Sequence, residues 1–155
     1  MVTLKKGLLL LLLLLAGLLC CGCVNDDVPK ERIISFVAEN QEKLNAYVEN
    51  LPEDSEALEA VFRKQVGRRT IVESIDPYGD GILDFYCGGT GLSTNSTYSG
   101  FYWSESDTPF TFEFHAEDQL KETEPGVFFW NSGGGEEIRA ERILPCWFWY
   151  HIVWN

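Results

Sequence analysis

Gly67 divides this 155-residue chain into two stretches whose side-chain periods are incompatible. Before it, Ile33, Phe36, Val37, Leu44, Tyr47, Val48 and Leu51 recur at three- and four-residue spacings, the apolar stripe of an amphipathic helix. The stripe predicts one helix over 29–50, with Asp27 able to cap it, Pro29 suited to its first turn and Pro52 ending it. A second, shorter helix is expected over 54–65, with Leu58, Val61 and Phe62 on one side and Glu53, Asp54 and Glu56 at its positive end. After Gly67, β-branched and aromatic residues take over, separated by clusters of Gly, Pro, Asp and Ser. Strands are expected at 70–75, 82–87, 98–104, 110–114, 126–131, 137–144 and 147–153. Helices followed by strands, without alternation, give an α+β fold: one or two N-terminal helices packed on a C-terminal antiparallel β-sheet.

Turn chemistry makes hairpins of several of these strands. Asp76-Pro77-Tyr78-Gly79-Asp80-Gly81 joins the first pair, and Ser132-Gly133-Gly134-Gly135 joins the strands lying within 126–144. The stretch 88–100, rich in Gly, Ser and Thr, reads as a loop. Cys146 to Trp154 is apolar on both faces, which predicts a central strand or one covered from both sides. Residues 101–155 hold 14 of the 21 aromatic residues and all five tryptophans. Alternation along the last strand puts Trp147, Trp149 and His151 on one face and Phe148, Tyr150 and Ile152 on the other. An exposed Trp147 and Trp149 would form an aromatic binding face for a cell-surface protein or glycan.

The N-terminus is built for export. Lys5 and Lys6 precede an apolar run from Leu8 to Leu19, and small residues surround a cysteine, as in MVTLKKGLLLLLLLLAGLLCCGC. This segment resembles a lipoprotein leader, whose peptidase requires a small residue before the acylated cysteine. Gly22 before Cys23 fits that requirement, which divides the chain into a signal peptide over 1–22, a tether over 23–28 and one α+β domain over 29–155. Cys20 stands where such leaders most often carry Leu, and Cys21 is a second candidate for lipid attachment. A retained membrane helix is the competing reading, since Gly7 to Val24 carries no charge. That run is at the short limit for a span, lacks a basic far flank and passes directly into Asn25, Asp26 and Asp27. The expected location is the extracellular face of the cell membrane, with palmitate-type chains on Cys23 as the anchor.

Asp84-Phe85-Tyr86-Cys87-Gly88-Gly89, Tyr98-Ser99-Gly100-Phe101-Tyr102-Trp103-Ser104, Glu141-Arg142-Ile143 and Trp147-Phe148-Trp149-Tyr150 together resemble a set of small exported lipoproteins of Gram-positive anaerobes. The resemblance covers roughly residues 80–155. It implies a strand-rich C-terminal half behind a helical start, and it brings no assigned activity or binding residues.

Charge and motif spacing then narrow the chemistry. A net charge of −12, more negative once Lys5 and Lys6 leave with the leader, argues against nucleic acid as a partner. The one basic cluster, Arg63, Lys64, Arg68 and Arg69, reads as the solvated end of a helix. Asp76 to Cys87 has the length of a calcium loop, but Tyr78 and Cys87 stand at the third and twelfth positions, where carboxylates are needed. With the leader cysteines set aside, metal-ligand spacings such as Cys-x-x-Cys do not occur, so no metal and no cofactor is expected. Cys87 and Cys146 could pair or stay free. Cys87 with His115 or His151, or the carboxylates Glu113, Glu117 and Asp118, would have to converge in a pocket for a hydrolase acting on an extracellular polymer. The balance favours a non-catalytic binding module anchored in the membrane.

Overall fold

The computed structural model describes residues 27–79, 81–92, 95–112 and 120–155, with the backbone alone at Leu92. Among the described residues, three helices are followed by a seven-stranded antiparallel sheet, so the fold is α+β as expected. Helix α1 spans Lys30–Glu39 and α2 spans Gln41–Glu49. The single helix expected over 29–50 is thus broken, and Asn40 is the cause. Its φ of −111° leaves the helical region, and its side-chain amide donates to the Phe36 carbonyl at 2.9 Å beside its own backbone N–H at 3.1 Å. Pro29 is the N-cap rather than a first-turn residue, and no side chain caps α1. Asp54 accepts a hydrogen bond from the Glu56 amide at 3.0 Å and opens a 3-10 turn over Ser55–Ala57, which leads into α3 over Leu58–Gln65.

The strands are β1 (Ser74–Tyr78), β2 (Ile82–Leu92), β3 (Asn95–Ser104), β4 (Lys121–Glu124), β5 (Val127–Asn131), β6 (Glu137–Leu144) and β7 (Trp147–Trp154). In space they run β1-β2-β3-β7-β6-β5-β4, with the two-sided apolar β7 in the centre. Three expectations are corrected. Instead of occupying 70–75, the first strand begins at Ser74 and takes in the first half of the segment read as its turn. The stretch 88–100 is not a loop, because β2 and β3 run through it as a long hairpin. Gly88, at φ 143°, makes this possible at the bulge that shifts the β2–β3 register after Tyr86. Phe110 to Phe112, the described part of the strand expected at 110–114, is not a strand, and the fourth strand is the fully exposed Lys-Glu-Thr-Glu of β4.

Burial separates the two sheet faces. Helices α1 to α3 cover one, where Ile33, Val37, Leu44, Tyr47 and Phe62 meet Leu83, Phe85, Cys87, Phe101 and Trp147. Phe85 lies flat on Phe101, with ring centroids 4.7 Å apart. The Trp147 indole N–H donates to Asn45 Oδ1 at 2.9 Å, tying the central strand to α2. The opposite face carries a second apolar cluster of Ile82, Tyr102, Phe128, Ile138, Phe148, Tyr150 and Ile152, against which Phe110, Phe112, Leu120, Trp130 and Trp154 pack. Arg142 and Asp107 pin the segment that follows β3. Arg142 pairs with the Asp107 carboxylate, donates to its carbonyl at 3.0 Å and lies 4.7 Å over the Phe148 ring. The Cys146 amide also donates to Asp107, at 2.6 Å, and that contact foremost holds the carboxyl below its ordinary range. Among the described residues, no helix is long and apolar enough to cross a membrane.

Candidate ligand-binding groove

Trp147 and Trp149 do not form an exposed face. They are only 1% and 9% exposed, because their side of β7 is the one the helices cover. His151, on the same side, stacks on Trp149 and has its Nε2 3.7 Å from Asp27. Cys87 is buried beneath the helices with its Sγ 3.5 Å from the Phe85 carbonyl, and burial pushes its thiol far above the ordinary range. A thiol held protonated in a core is no nucleophile. Cys87 and Cys146 are both free, Cys146 sitting at φ 65° in the two-residue turn between β6 and β7. Cys23, Cys21, Glu113, His115, Glu117 and Asp118 lie outside the described residues.

What the structure does bring together lies on the sheet face turned away from the helices. Antiparallel register places Ser74, Asp76 and Tyr78 of β1 opposite Tyr86, Asp84 and Ile82 of β2, all on this face. Tyr98 of β3 pairs with Ile152 of β7, and Gly100 pairs with Tyr150. All of these but Ile82 and Gly100, with Phe112 and Trp154, line a groove of about 440 Å³. Tyr78 and Tyr98 stand at its rim, 40% and 39% exposed.

Asp84 is its chemical centre. The residue is 6% exposed, accepts a hydrogen bond from the Tyr150 hydroxyl at 3.3 Å, and its Oδ1 has no hydrogen-bond partner among the described residues. Burial pushes its carboxyl up to about 7; the Tyr150 hydrogen bond opposes the rise and the neighbouring Asp76 charge adds to it. Burial and Asp84 together push the Tyr150 hydroxyl well up, so it stays a donor. Gly100 makes the contact possible. A Cβ there would lie 2.5 Å from the Phe85 carbonyl oxygen and 2.7 Å from both the ring and the hydroxyl of Tyr150. Only a bare backbone on β3 lets Tyr150 of β7 lean across it to reach β2. Phe112 closes over the same ring, 4.4 Å away. A Tyr102 hydroxyl that accepts from the Phe110 amide at 2.9 Å holds that segment down.

A second hollow of about 430 Å³ lies by β5 and β6, lined by Lys30, Phe129, Arg139, Glu141 and Trp149 among others. There Lys30 is paired with Glu141 and lies 4.9 Å over the Trp149 ring, so its charge is already answered from within. In the Asp84 groove no cation among the described residues answers the carboxylates. Comparison with protein-family models, curated proteins and solved structures finds no significant match.

Proposed function

We propose that this chain is a non-catalytic binding module, exported and held by a lipidated Cys23 at the extracellular face of the cell membrane, with the Asp84 groove as its ligand seat. It belongs, on this reading, with the exported lipoproteins its C-terminal half resembles. One observation carries the binding role: Asp84, a buried carboxyl with one oxygen lacking a hydrogen-bond partner among the described residues, lines an open, tyrosine-rimmed groove. A buried, unsatisfied acid lowers stability, and such groups concentrate at sites that use them. Footprinting of tyrosines tests the reading. On intact cells, Tyr78 and Tyr98 should react more slowly than in the purified chain in detergent, because the ligand covers them; equal rates in both settings contradict it.

The enzymatic alternative, a hydrolase acting on an extracellular polymer, has one observation in its favour. Asp76 and Asp84 are direct cross-strand partners, and one of the two carboxyls is held protonated near neutrality, as a general acid requires. Release of soluble fragments from cell-wall polymer by the purified chain, abolished in Asp76→Asn, would favour this reading over simple binding.

A further inference from the structure

The groove at Asp84 is polar in one sense only. Its charged lining groups are Asp76 and Asp84, and among the described residues no Lys, Arg or His lines it. Ser74 donates its hydroxyl to Asp76 Oδ2 at 3.1 Å and Tyr150 donates to Asp84 Oδ2, while Asp84 Oδ1 is sealed from solvent with no hydrogen-bond partner among the described residues. Around it stand the rings of Tyr78, Tyr86, Tyr98 and Tyr150, whose faces carry the negative lobe of the aromatic quadrupole. Farther along, Phe112, Ile152 and Trp154 offer hydrocarbon and no charge.

We infer that the groove's occupant is a protonated primary amine on an apolar or ring-bearing body, its ammonium set against the Asp76 and Asp84 carboxylates among the tyrosine rings and its body lying along Phe112, Ile152 and Trp154. The inference rests on the groove being the ligand seat and adds the ligand's class. Three requirements converge on an ammonium. It supplies hydrogens to the carboxylates that line the groove, the positive charge that a buried carboxylate needs to be stable, and a cation for the ring faces. A neutral sugar would satisfy only the first, and an anion would meet two carboxylates with no cation to offset them.

Titration of the full chain in non-ionic detergent at a pH of about 8, followed by amide NMR, tests the idea with 2-phenylethylammonium and its neutral isostere 2-phenylethanol. The amine should saturate shifts at Tyr98, Gly100 and Tyr150, with the alcohol weaker by about tenfold or more. Asp84→Asn should remove that preference while keeping the sheet's amide spectrum. Should Asp84→Asn fail to fold, the exposed Asp76→Asn is expected to weaken the amine by about twofold to threefold and leave the alcohol unchanged. Alcohol binding as tight as the amine at these amides would overturn the ammonium and leave the groove as a ligand seat. Saturation of neither probe there would overturn the ammonium, and then the tyrosine footprint decides the groove.

Discussion

Asp84 is a residue whose environment works against its charge, and the consequence is measurable in the stability of the fold. Its carboxyl rises from the ordinary aspartate value of 3.8 to about 7, so the folded chain holds this proton more tightly than the unfolded chain does. The stabilisation is complete below about pH 4, falls by about 1.4 kcal/mol per pH unit as pH rises, and is gone above about pH 7. Asp84→Asn should therefore remove this slope, so that the stability of the variant relative to the native chain climbs between about pH 4 and 7 in urea denaturation. A constant difference across that range would contradict the burial of a titrating acid. At Gly100, the methyl of Gly100→Ala would collide with the Phe85 carbonyl and with Tyr150. Overpacking of this kind costs about 1–3 kcal/mol, and the variant should also lose the Tyr150 contact to Asp84, seen as a lowered Asp84 response to amine. Asp84 left a signal in the sequence as an acid inside the otherwise apolar run Ile82 to Cys87, on the same strand face as Ile82 and Tyr86. Gly100 and Tyr150 left none, because their role depends on β3 lying between β2 and β7, a neighbour relation that period alone does not carry.

Elements were legible where one face is buried and the other solvated, and illegible where tertiary pairing overrides composition. The α1 and α2 stripe shows in the spacing of Ile33, Val37, Leu44 and Tyr47, all of which are buried. The break at Asn40 did not show, since Asn within a helical run is tolerated until its side chain takes the Phe36 carbonyl. Strand β4 is four exposed residues without an apolar face, paired with β5 at the sheet edge. Phe110 and Phe112 have strand-like alternation yet serve as a cover over Tyr102 and Tyr150. Elements should therefore contribute unequally to stability. Phe85→Ala empties the stack on Phe101 at the centre of the helix-side core and should cost about 3–5 kcal/mol. Thr123→Ala on β4 should stay within about 0.5 kcal/mol by the same denaturant titration.

At the scale of the whole molecule, a sheet with cores on both faces places its groove on the side away from the helices, while the chain enters through the helices. The apolar patterning of β7 showed that this strand would be central, and it put two tryptophans on the face that turned out to be covered. The groove could not be read in advance because its lining comes from β1, β2, β3, β7 and the segment after β3. The proposed lipid anchor at Cys23 makes a separate prediction. Cells fed labelled palmitate should label the native chain and Cys21→Ala, and Cys23→Ala should lose the label; label retained in Cys23→Ala would move the anchor to another cysteine. The groove itself is tested most directly by the carboxyl carbon of Asp84, followed by NMR through a pH titration. In the free chain it should titrate near 7, facing Asp76, Tyr78, Tyr86, Tyr102 and Tyr150, and 2-phenylethylammonium at about tenfold its dissociation constant should lower that midpoint by about one unit. A carboxyl that titrates in the ordinary aspartate range, or a midpoint that the amine leaves where it was, would contradict a cation seat at Asp84.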